Sequence, residues 1–276
     1  MAPNRHDRSC AVATCPGRAH VRYDLPRFSV CACDTCGMLF RDPLPNAAEL
    51  RAMYDDAAYH ESPYFAREWS PDAVDTSPEV KIQQSALTRI ADELGPGVPR
   101  RVLDIGCGTG AFLRLARSAG FAGEGIELSE RLAERARSEA GLIVHQGDVL
   151  DQTLPAESYG LVTLWDVLEH VLDPDAVLAS LRRSLAPGGR ILVLTIDSAS
   201  LFNRLGALAY RASGGLLRRQ LELLYDARHN YYFTRRTLHD LLERTGFDPV
   251  RTVSHRAHLG HWLAEPAPAW VRIAGA

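Results

Sequence analysis

No stretch of this 276-residue chain approaches the roughly 18 uninterrupted apolar residues that a membrane-spanning helix requires. The first ten residues, MAPNRHDRSC, hold no apolar leader core, so a cytoplasmic location is the expectation. An excess of one sign of charge is lacking as well, with 31 basic against 34 acidic residues. A net charge of −3 provides no global attraction to nucleic acid or to an anionic membrane. There is no internal repeat and no low-complexity tract, and 46% hydrophobic against 24% charged residues excludes a disordered chain. Beyond residue 36 cysteine is confined to Cys107, which argues against a disulfide framework. The length predicts one main core with appendages.

What is present is concentrated first in the run RVLDIGCGTG (101–110). Val102, Leu103 and Ile105 read as a buried strand with Asp104 near its end. Gly106, Gly108 and Gly110 remove side chains from the turn before a helix that is predicted to start near Thr109. A strand, a bare turn and a helix N-terminus aim backbone N–H groups at an anionic group of a ligand. Gly106, Gly108 and Ala111 satisfy the dinucleotide pattern only loosely. Asp104 and Gly110 fit better a ligand without pyrophosphate, whose ammonium needs a carboxylate and whose carboxylate needs amide donors. S-adenosylmethionine is such a ligand.

The following segments agree. AFLRLARSAG reads as a helix ending at Gly120, and FAGEGIEL as a second strand ending at Glu127. That carboxylate lies 23 residues past Asp104, close to the roughly 20-residue offset of a ribose-binding acid. Ser129 caps a helix running to Gly141, and LIVHQGDV is a third strand ending at Asp148, placed to meet an adenine amine. GLVTLW is a fourth strand leading to Asp166 and DVLEHV; Asp173 and Pro174 open another helix, closed by LAPGG before a fifth strand, RILVLTID. His145, inside the third strand, reads as packing.

In this order VLDIGCGTG (102–110), GIELS, GDV (147–149), LWDVLEHV (164–171) and LRRSLAPGGRILV (181–193) resemble the class I S-adenosylmethionine-dependent methyltransferases over about a hundred residues. The resemblance implies an α/β, Rossmann-like parallel sheet. It implies that Asp104, Gly106, Cys107, Gly108 and Gly110 hold the methionine end and Glu127 with Leu128 the ribose. Asp148 and Val149 would hold the adenine, while Trp165 and Asp166 line the pocket near the sulfonium. Cys107 has no neighbouring base and is not read as a nucleophile.

Five of the six cysteines fall in the first 36 residues: Cys10, Cys15, Cys31, Cys33 and Cys36. Such clustering in a chain without a secretion signal favours a metal over disulfides. Cys33-Asp34-Thr35-Cys36-Gly37 is a C-x-x-C-G knuckle, and Cys10 and Cys15 form a looser C-x4-C pair. Four thiolates would close a tetrahedral structural Zn2+ site. Two short strands, HVRYDL and RFSVCA, fit between the pairs, and Cys31 is surplus. CDTCGMLFRDPLP (33–45) resembles the N-terminal zinc ribbon of a subgroup of the same methyltransferases, which more often has C-x-x-C as its first pair.

The expected organisation is a zinc ribbon over 1–46, a helical cap over 47–98 and the Rossmann-like domain over 99–276. The cap reads as helices broken at Pro63, Pro71 and Pro78, covering one end of the cofactor cleft. Residues 198–233 form a helical lid insertion, with leucines and aromatics at helical spacing and Arg204, Arg211, Arg218 and Arg219 between them. A basic amphipathic stretch can lie on a membrane; the favoured reading is a lid whose apolar face packs over the active site. Thr234 caps a helix stopped by Gly246, FDPVRTVS (247–254) is a sixth strand, and residues 255–276 are a helix and a tail.

Methyl transfer is an in-line displacement that needs aligned reactants and, for a hydroxyl or amine acceptor, one proton removed. The candidate catalytic residues are His229, in a stretch resembling the family's H-x-x-x-F-T segment, with Tyr232 beside it, and His170, where a loop-fixing role is favoured. Asp166-x-x-Glu169-His170 resembles an E-x-x-E-H segment that binds magnesium in some small-molecule O-methyltransferases, and many metal-free relatives also carry it. Together these features favour methyl transfer to a small molecule such as a sugar, a natural product or a lipid intermediate, O-methylation first, with sugar C-methylation as a variant. An RNA base methyltransferase gripping its substrate with the ribbon is the main alternative. Residues 1–45 hold six arginines against four aspartates, too thin a basic patch for an RNA grip. A nicotinamide-dependent oxidoreductase is a third reading, against which Asp148 and the 181–193 segment weigh.

Overall fold

The computed structural model describes residues 8–55 and 78–254. The expected helix breaks at Pro63 and Pro71 and the tail over 255–276 lie outside the described residues. Two five-stranded sheets make up the strands, one antiparallel and one parallel.

The antiparallel sheet begins with β1 (Arg8–Ser9), β2 (Arg18–Asp24), β3 (Ser29–Cys33) and β4 (Leu39–Asp42). Helices α1 (Ala47–Asp55) and α2 (Pro78–Glu93) follow. Pro78 does not break a helix but starts one, since the first turn has no use for its missing N–H. The parallel unit then alternates β5 (Arg101–Ile105), α3 (Ala111–Ser118), β6 (Ala122–Glu127), α4 (Glu130–Ala140), β7 (Ile143–Gln146), β8 (Tyr159–Trp165), α5 (Pro174–Ser184) and β9 (Leu185–Leu194). After it come α6 (Leu201–Ala212), α7 (Arg218–Glu222), β10 (Tyr231–Tyr232) and α8 (Arg235–Arg244).

The parallel sheet has the order β7-β6-β5-β8-β9. The order in which strands are added reverses between β5 and β8, all strands remaining parallel, and such a switch point places a crevice at their carboxyl ends. Val102, Leu103, Leu161, Val162 and Leu164 are wholly buried because both faces of these central strands are covered. The helices stop and start as their sequence dictates. Ser129 accepts from Leu132 N and Gly141 closes α4 at φ 60; Asp173 accepts from Ala176 N before Pro174; Thr234 and Thr237 cap α8 reciprocally.

The antiparallel sheet has the order β1-β2-β3-β4-β10, so its last strand comes from the far end of the chain. Tyr231 pairs with Phe40 and Tyr232 with Leu39. One core joins Val12, Ala19, Cys31, Met38 and Phe40 to Leu103, Val162 and Leu181 of the parallel unit and to Leu241 of α8. The Tyr231 hydroxyl sits 2.9 Å from the Leu172 carbonyl and 3.1 Å from that of Ala11. Thr14 donates to Asp175, which also receives a two-pronged bond from Arg244 at 2.6 and 3.0 Å. Residues 8–46 therefore share packing with the rest of the described chain rather than standing apart. Cys31 is the surplus thiol, and burial pushes it up to about 11.

Four expectations need correction. Residues 247–254 form no strand: beyond Phe247 their side chains are mostly exposed, Val250 at 75%, and Pro249 has no N–H to offer a ladder. LAPGG belongs to β9, whose pairing with β8 slips between Tyr159 and Leu161. Gly189 permits that slip, because a Cβ there would lie 2.9 Å from Ala186 O and 3.0 Å from Tyr159 O. His145 is exposed and meets Glu124 at 3.2 Å instead of packing. Finally, α6 does not turn its leucines onto the site. Gly206 lets it settle on Leu224, Asn203 is buried, and Tyr210 meets Tyr23 edge to face at 5.6 Å. The small and polar side of the helix faces inward, and the leucines face out.

Candidate functional site

The turn after β5 has Gly106, Gly108 and Gly110 at φ 67, 54 and 80, where side chains are disfavoured. A Cβ on Gly106 would lie 2.6 Å from Val167, and one on Gly110 only 2.1 Å from Leu142. Asp104 is buried and accepts the Thr163 hydroxyl at 2.6 Å, tying β5 to β8 beneath the turn. Glu127, at the end of β6, is 5% exposed. Its two oxygens accept from Gly108 N and Ser129 N, both at 2.8 Å. Burial pushes this carboxyl above its ordinary range against the pull of those N–H groups. The β6 strand end thereby shapes the β5 turn.

Asp148 accepts from Leu150 N at 2.8 Å at the start of a short 3-10 turn, with Val149 buried behind it. Trp165 ends β8 with its ring 5.2 Å from Phe112. Asp166 is exposed and held at φ 51, a left-handed conformation that a non-glycine residue adopts at a cost. The Cys107 side chain packs inward, its thiol so placed that a Cβ on Gly125 would lie 2.4 Å from it.

Several buried polar atoms along the carboxyl ends of β5, β8 and β9 lack a hydrogen-bond partner among the described residues. They are Thr109 Oγ1, Trp165 Nε1, both carboxylate oxygens of Glu169, and Thr195 Oγ1. Buried polar groups are nearly always bonded. Their collection at one crevice fits a site that a polar ligand completes.

Next to it is a narrow pocket lined by Glu169, Thr195, Ile196, His229, Tyr231 and Tyr232. His170 and His229 face each other edge to face at 4.7 Å, and the Tyr54 ring of α1 covers His170 at 6.0 Å. Burial pushes His229 down to about 4 and, with His229 beside it, His170 to about 3, so both rings are neutral at pH 7. His170 Nδ1 lies 3.1 Å from the Arg228 carbonyl. Burial and the adjacent Asp166 charge push Glu169 well above the ordinary carboxylate range. Ligand atoms of Glu169, His170 and His229 lie within 4.8 Å of one another. The Tyr232 hydroxyl donates to the Asp226 carbonyl at 2.9 Å and burial raises its pKa, which leaves it a wall of the pocket. Against its own burial, Asp226 is held at about 2 by Arg228.

The cysteines converge. Cys10 Sγ is 3.6 Å from Cys36 Sγ and Cys15 Sγ is 3.7 Å from Cys33 Sγ. All four lie within 4.8 Å of one another. A tetrahedral zinc with Zn–S bonds of about 2.3 Å needs sulfurs about 3.8 Å apart, so the arrangement has the dimensions of such a site. Gly37, at φ 72, turns the knuckle, and Thr35 N and Cys36 N donate to Cys33 Sγ at 3.4 and 3.5 Å. A Cβ on Gly17 would strike Thr35 and Cys33, so glycine admits the first loop beside the second. The hydrogen bond from the Cys10 thiol pushes Cys36 down to about 5 and Cys10 up.

A family model described as a methyltransferase domain matches residues 80–252. The chain belongs to this family. A ubiquinone biosynthesis O-methyltransferase of Bordetella avium is 33% identical over 151 residues, covering 51% of this chain and 62% of that protein. One from Idiomarina loihiensis is 30% identical over 138 residues, covering 48% and 56%. The chain thus matches less than two thirds of the length of these relatives. A solved structure of phosphoethanolamine N-methyltransferase 2 from Haemonchus contortus, in complex with S-adenosyl-L-methionine, shares the fold. Its TM-score is 0.50 at 22% identity, covering 75% of this chain and 46% of that one.

The methyltransferase domain brings Asp104, the glycine turn, Glu127, Asp148 and Trp165 to the carboxyl-end side of the parallel sheet, with His170 and His229 edge to face at its flank. Asn230 was missed. Its Nδ2 donates to the His170 carbonyl at 2.6 Å, while Asn230 N and Tyr231 N both donate to the Glu169 carbonyl. It straps the two histidine segments together. An asparagine beside a histidine carries no such signal in one sequence, because its partners are 60 residues away.

Proposed function

We propose that the protein is an S-adenosylmethionine-dependent methyltransferase that methylates a hydroxyl of a small-molecule acceptor, with a structural zinc in its N-terminal ribbon. The observation that carries this reading is Glu127. It is a buried carboxylate whose oxygens grip the glycine turn through Gly108 and keep acceptor capacity for a pair of ribose hydroxyls. In this reading Asp104, Gly106, Cys107, Gly108 and Gly110 form the seat of the methionine end, Cys107 through its backbone. Leu128 flanks the ribose, Asp148 and Val149 take the adenine, and Trp165 and Asp166 face the sulfonium.

Bound there, the cofactor supplies a methyl group already activated for displacement. The chain's own task is to align the acceptor, exclude water and take its proton. His229, neutral and at the pocket wall, accepts the hydroxyl proton; His170 and Asn230 hold the His229 segment in place. The names of the Bordetella and Idiomarina relatives support transfer to oxygen. The family match weighs against the oxidoreductase alternative. A thinly basic ribbon weighs against RNA, and a cytoplasmic location accords with there being no helix among the described residues long and apolar enough to cross a membrane. Cys10, Cys15, Cys33 and Cys36 bind the zinc, and their sulfur separations support it.

One observation favours a second reading of the acceptor side. Glu169, His170 and His229 present ligand atoms within 4.8 Å, and the Glu169 oxygens are unbonded. A divalent cation there would hold the acceptor oxygen and lower its pKa. Turnover lost on mild chelation and restored by magnesium or manganese, at constant zinc content, selects this reading. The test of the main proposal is calorimetry with S-adenosylmethionine, followed by counting radiolabelled methyl in small-molecule and RNA fractions. Preference for a nicotinamide nucleotide overturns the cofactor, and label in RNA overturns the acceptor class.

A further inference from the structure

The outward side of α6 is an apolar ridge that none of the described residues covers. Leu201, Phe202, Leu205 and Leu208 are 67, 59, 54 and 64% exposed, and Leu216 in the following turn is 85% exposed. Leu201, Leu205 and Leu208 fall on one face at the spacing i, i+4, i+7, with Ala212 continuing it. The opposite face is committed, since Asn203, Gly206 and Tyr210 seat the helix on α7 and on the antiparallel sheet. The helix therefore cannot roll to bury its leucines without losing that seat.

Charge selects the occupant. Between residues 200 and 221 there are four arginines, Arg204, Arg211, Arg218 and Arg219, and no acidic residue. All four are exposed. Arg204 and Arg211 lie two helical turns apart along one edge of the leucine face, each three residues on from Leu201 and Leu208. In a chain whose net charge is −3 this cluster is local. Side chains that project this far, with exposed arginines on the same segment and no acidic residue among them, suit a fluid surface that apolar groups can enter and anionic headgroups can rim. A second copy of the chain would place four arginines against four arginines.

We propose that α6 and the turn after it form a docking face for an anionic lipid bilayer, the leucines and Phe202 entering the headgroup boundary and the arginines pairing with lipid phosphates. This holds whichever acceptor the methyltransferase uses. The helix lies flat on the surface and crosses nothing.

The test is flotation of the full chain with vesicles of phosphatidylglycerol and phosphatidylcholine in equal parts, against vesicles of phosphatidylcholine alone. Wild-type protein is expected to float with the first and to partition at least tenfold less onto the second. Leu205→Glu with Leu208→Glu is expected to lower partitioning by more than tenfold, and Arg204→Gln with Arg211→Gln by about fivefold per arginine, on anionic vesicles only. Both variants keep the inward face of α6 and are checked for unchanged melting and unchanged S-adenosylhomocysteine binding. Absence of wild-type binding to either vesicle overturns the proposal. So does equal binding by the double glutamate variant. A dimer in sedimentation that Leu205→Glu dissolves, without vesicle binding, overturns it in favour of a second copy.

Discussion

Replacing Glu127 by glutamine separates binding from stability at a single side chain. The carboxylate now accepts from Gly108 N and Ser129 N at 2.8 Å, one on each oxygen. An amide has one oxygen, so its NH2 must face one of these donors. If it faces Gly108, the glycine turn loses its anchor; if it faces Ser129, the cap of α4 is disturbed. A hydrogen bond to a charged group is worth about 1.5–3 kcal/mol, and the hydroxyl pair of a bound ribose would lose the charge as well. Affinity for S-adenosylhomocysteine should fall roughly 10- to 150-fold. Stability moves little, because glutamine also removes the burial penalty that pushes the Glu127 carboxyl upward. Isothermal titration calorimetry reads the first effect and a thermal melt of the ligand-free protein the second. Wild-type affinity in the variant refutes the role given to Glu127, and a large fall in melting temperature refutes the claim that its charge serves the ligand rather than the fold.

Cys33→Ser should release close to one zinc per chain by elemental analysis of protein purified without added metal; five reduced, titratable N-terminal thiols in wild-type protein would contradict the site. His229→Ala should cut turnover while leaving cofactor affinity nearly intact, measured by steady-state kinetics beside calorimetry. His170→Ala should act more through the fold, seen as a lower melting temperature. Burial holds His229 near 4 and His170 near 3 against an ordinary 6.5, so the unfolded chain takes up these protons first on acidification. Their contribution is therefore complete above pH 6.5 and is lost as pH falls from there toward 4; denaturant titrations at pH 7 and pH 5 should show the loss, reduced when both are glutamine. Gly110→Ala should destabilise by about 1–3 kcal/mol or more, since φ is 80 and the new Cβ meets Leu142 at 2.1 Å; a normal melt would show that the turn relaxes freely.

The parts of this molecule that were legible beforehand are those whose causes are local. The β5 run declares itself through Val102, Leu103 and Ile105, and its turn through three glycines that the backbone requires at positive φ. Caps at Ser129, Asp173 and Thr234 are chemical signals spanning three residues, and each side chain accepts from its helix's first turn. What failed depended on distant partners. Two tyrosines cannot announce a strand, and β10 exists because Phe40 and Leu39 offer an edge some 190 residues earlier. FDPVRTVS has strand-like residues, yet it pairs with none of the described strands. The orientation of α6 turned on Gly206 and Tyr210 finding Leu224 and Tyr23, which periodicity does not reveal.

The late strand of the antiparallel sheet also imposes a timetable. At about 5–20 residues per second on the ribosome, the ~190 residues separating β4 from β10 take on the order of 10–40 s to appear. Through that interval the four cysteines and the first four strands exist without the tyrosine pair that closes their sheet. They also lack the Asp175–Arg244 clasp that holds Thr14 until α8 has emerged. A metal captured early would give the nascent segment its shape before its neighbours exist and keep its thiols from oxidising. Synthesis in zinc-starved cells should therefore damage the yield of folded enzyme far more than the same starvation applied after the chain is complete.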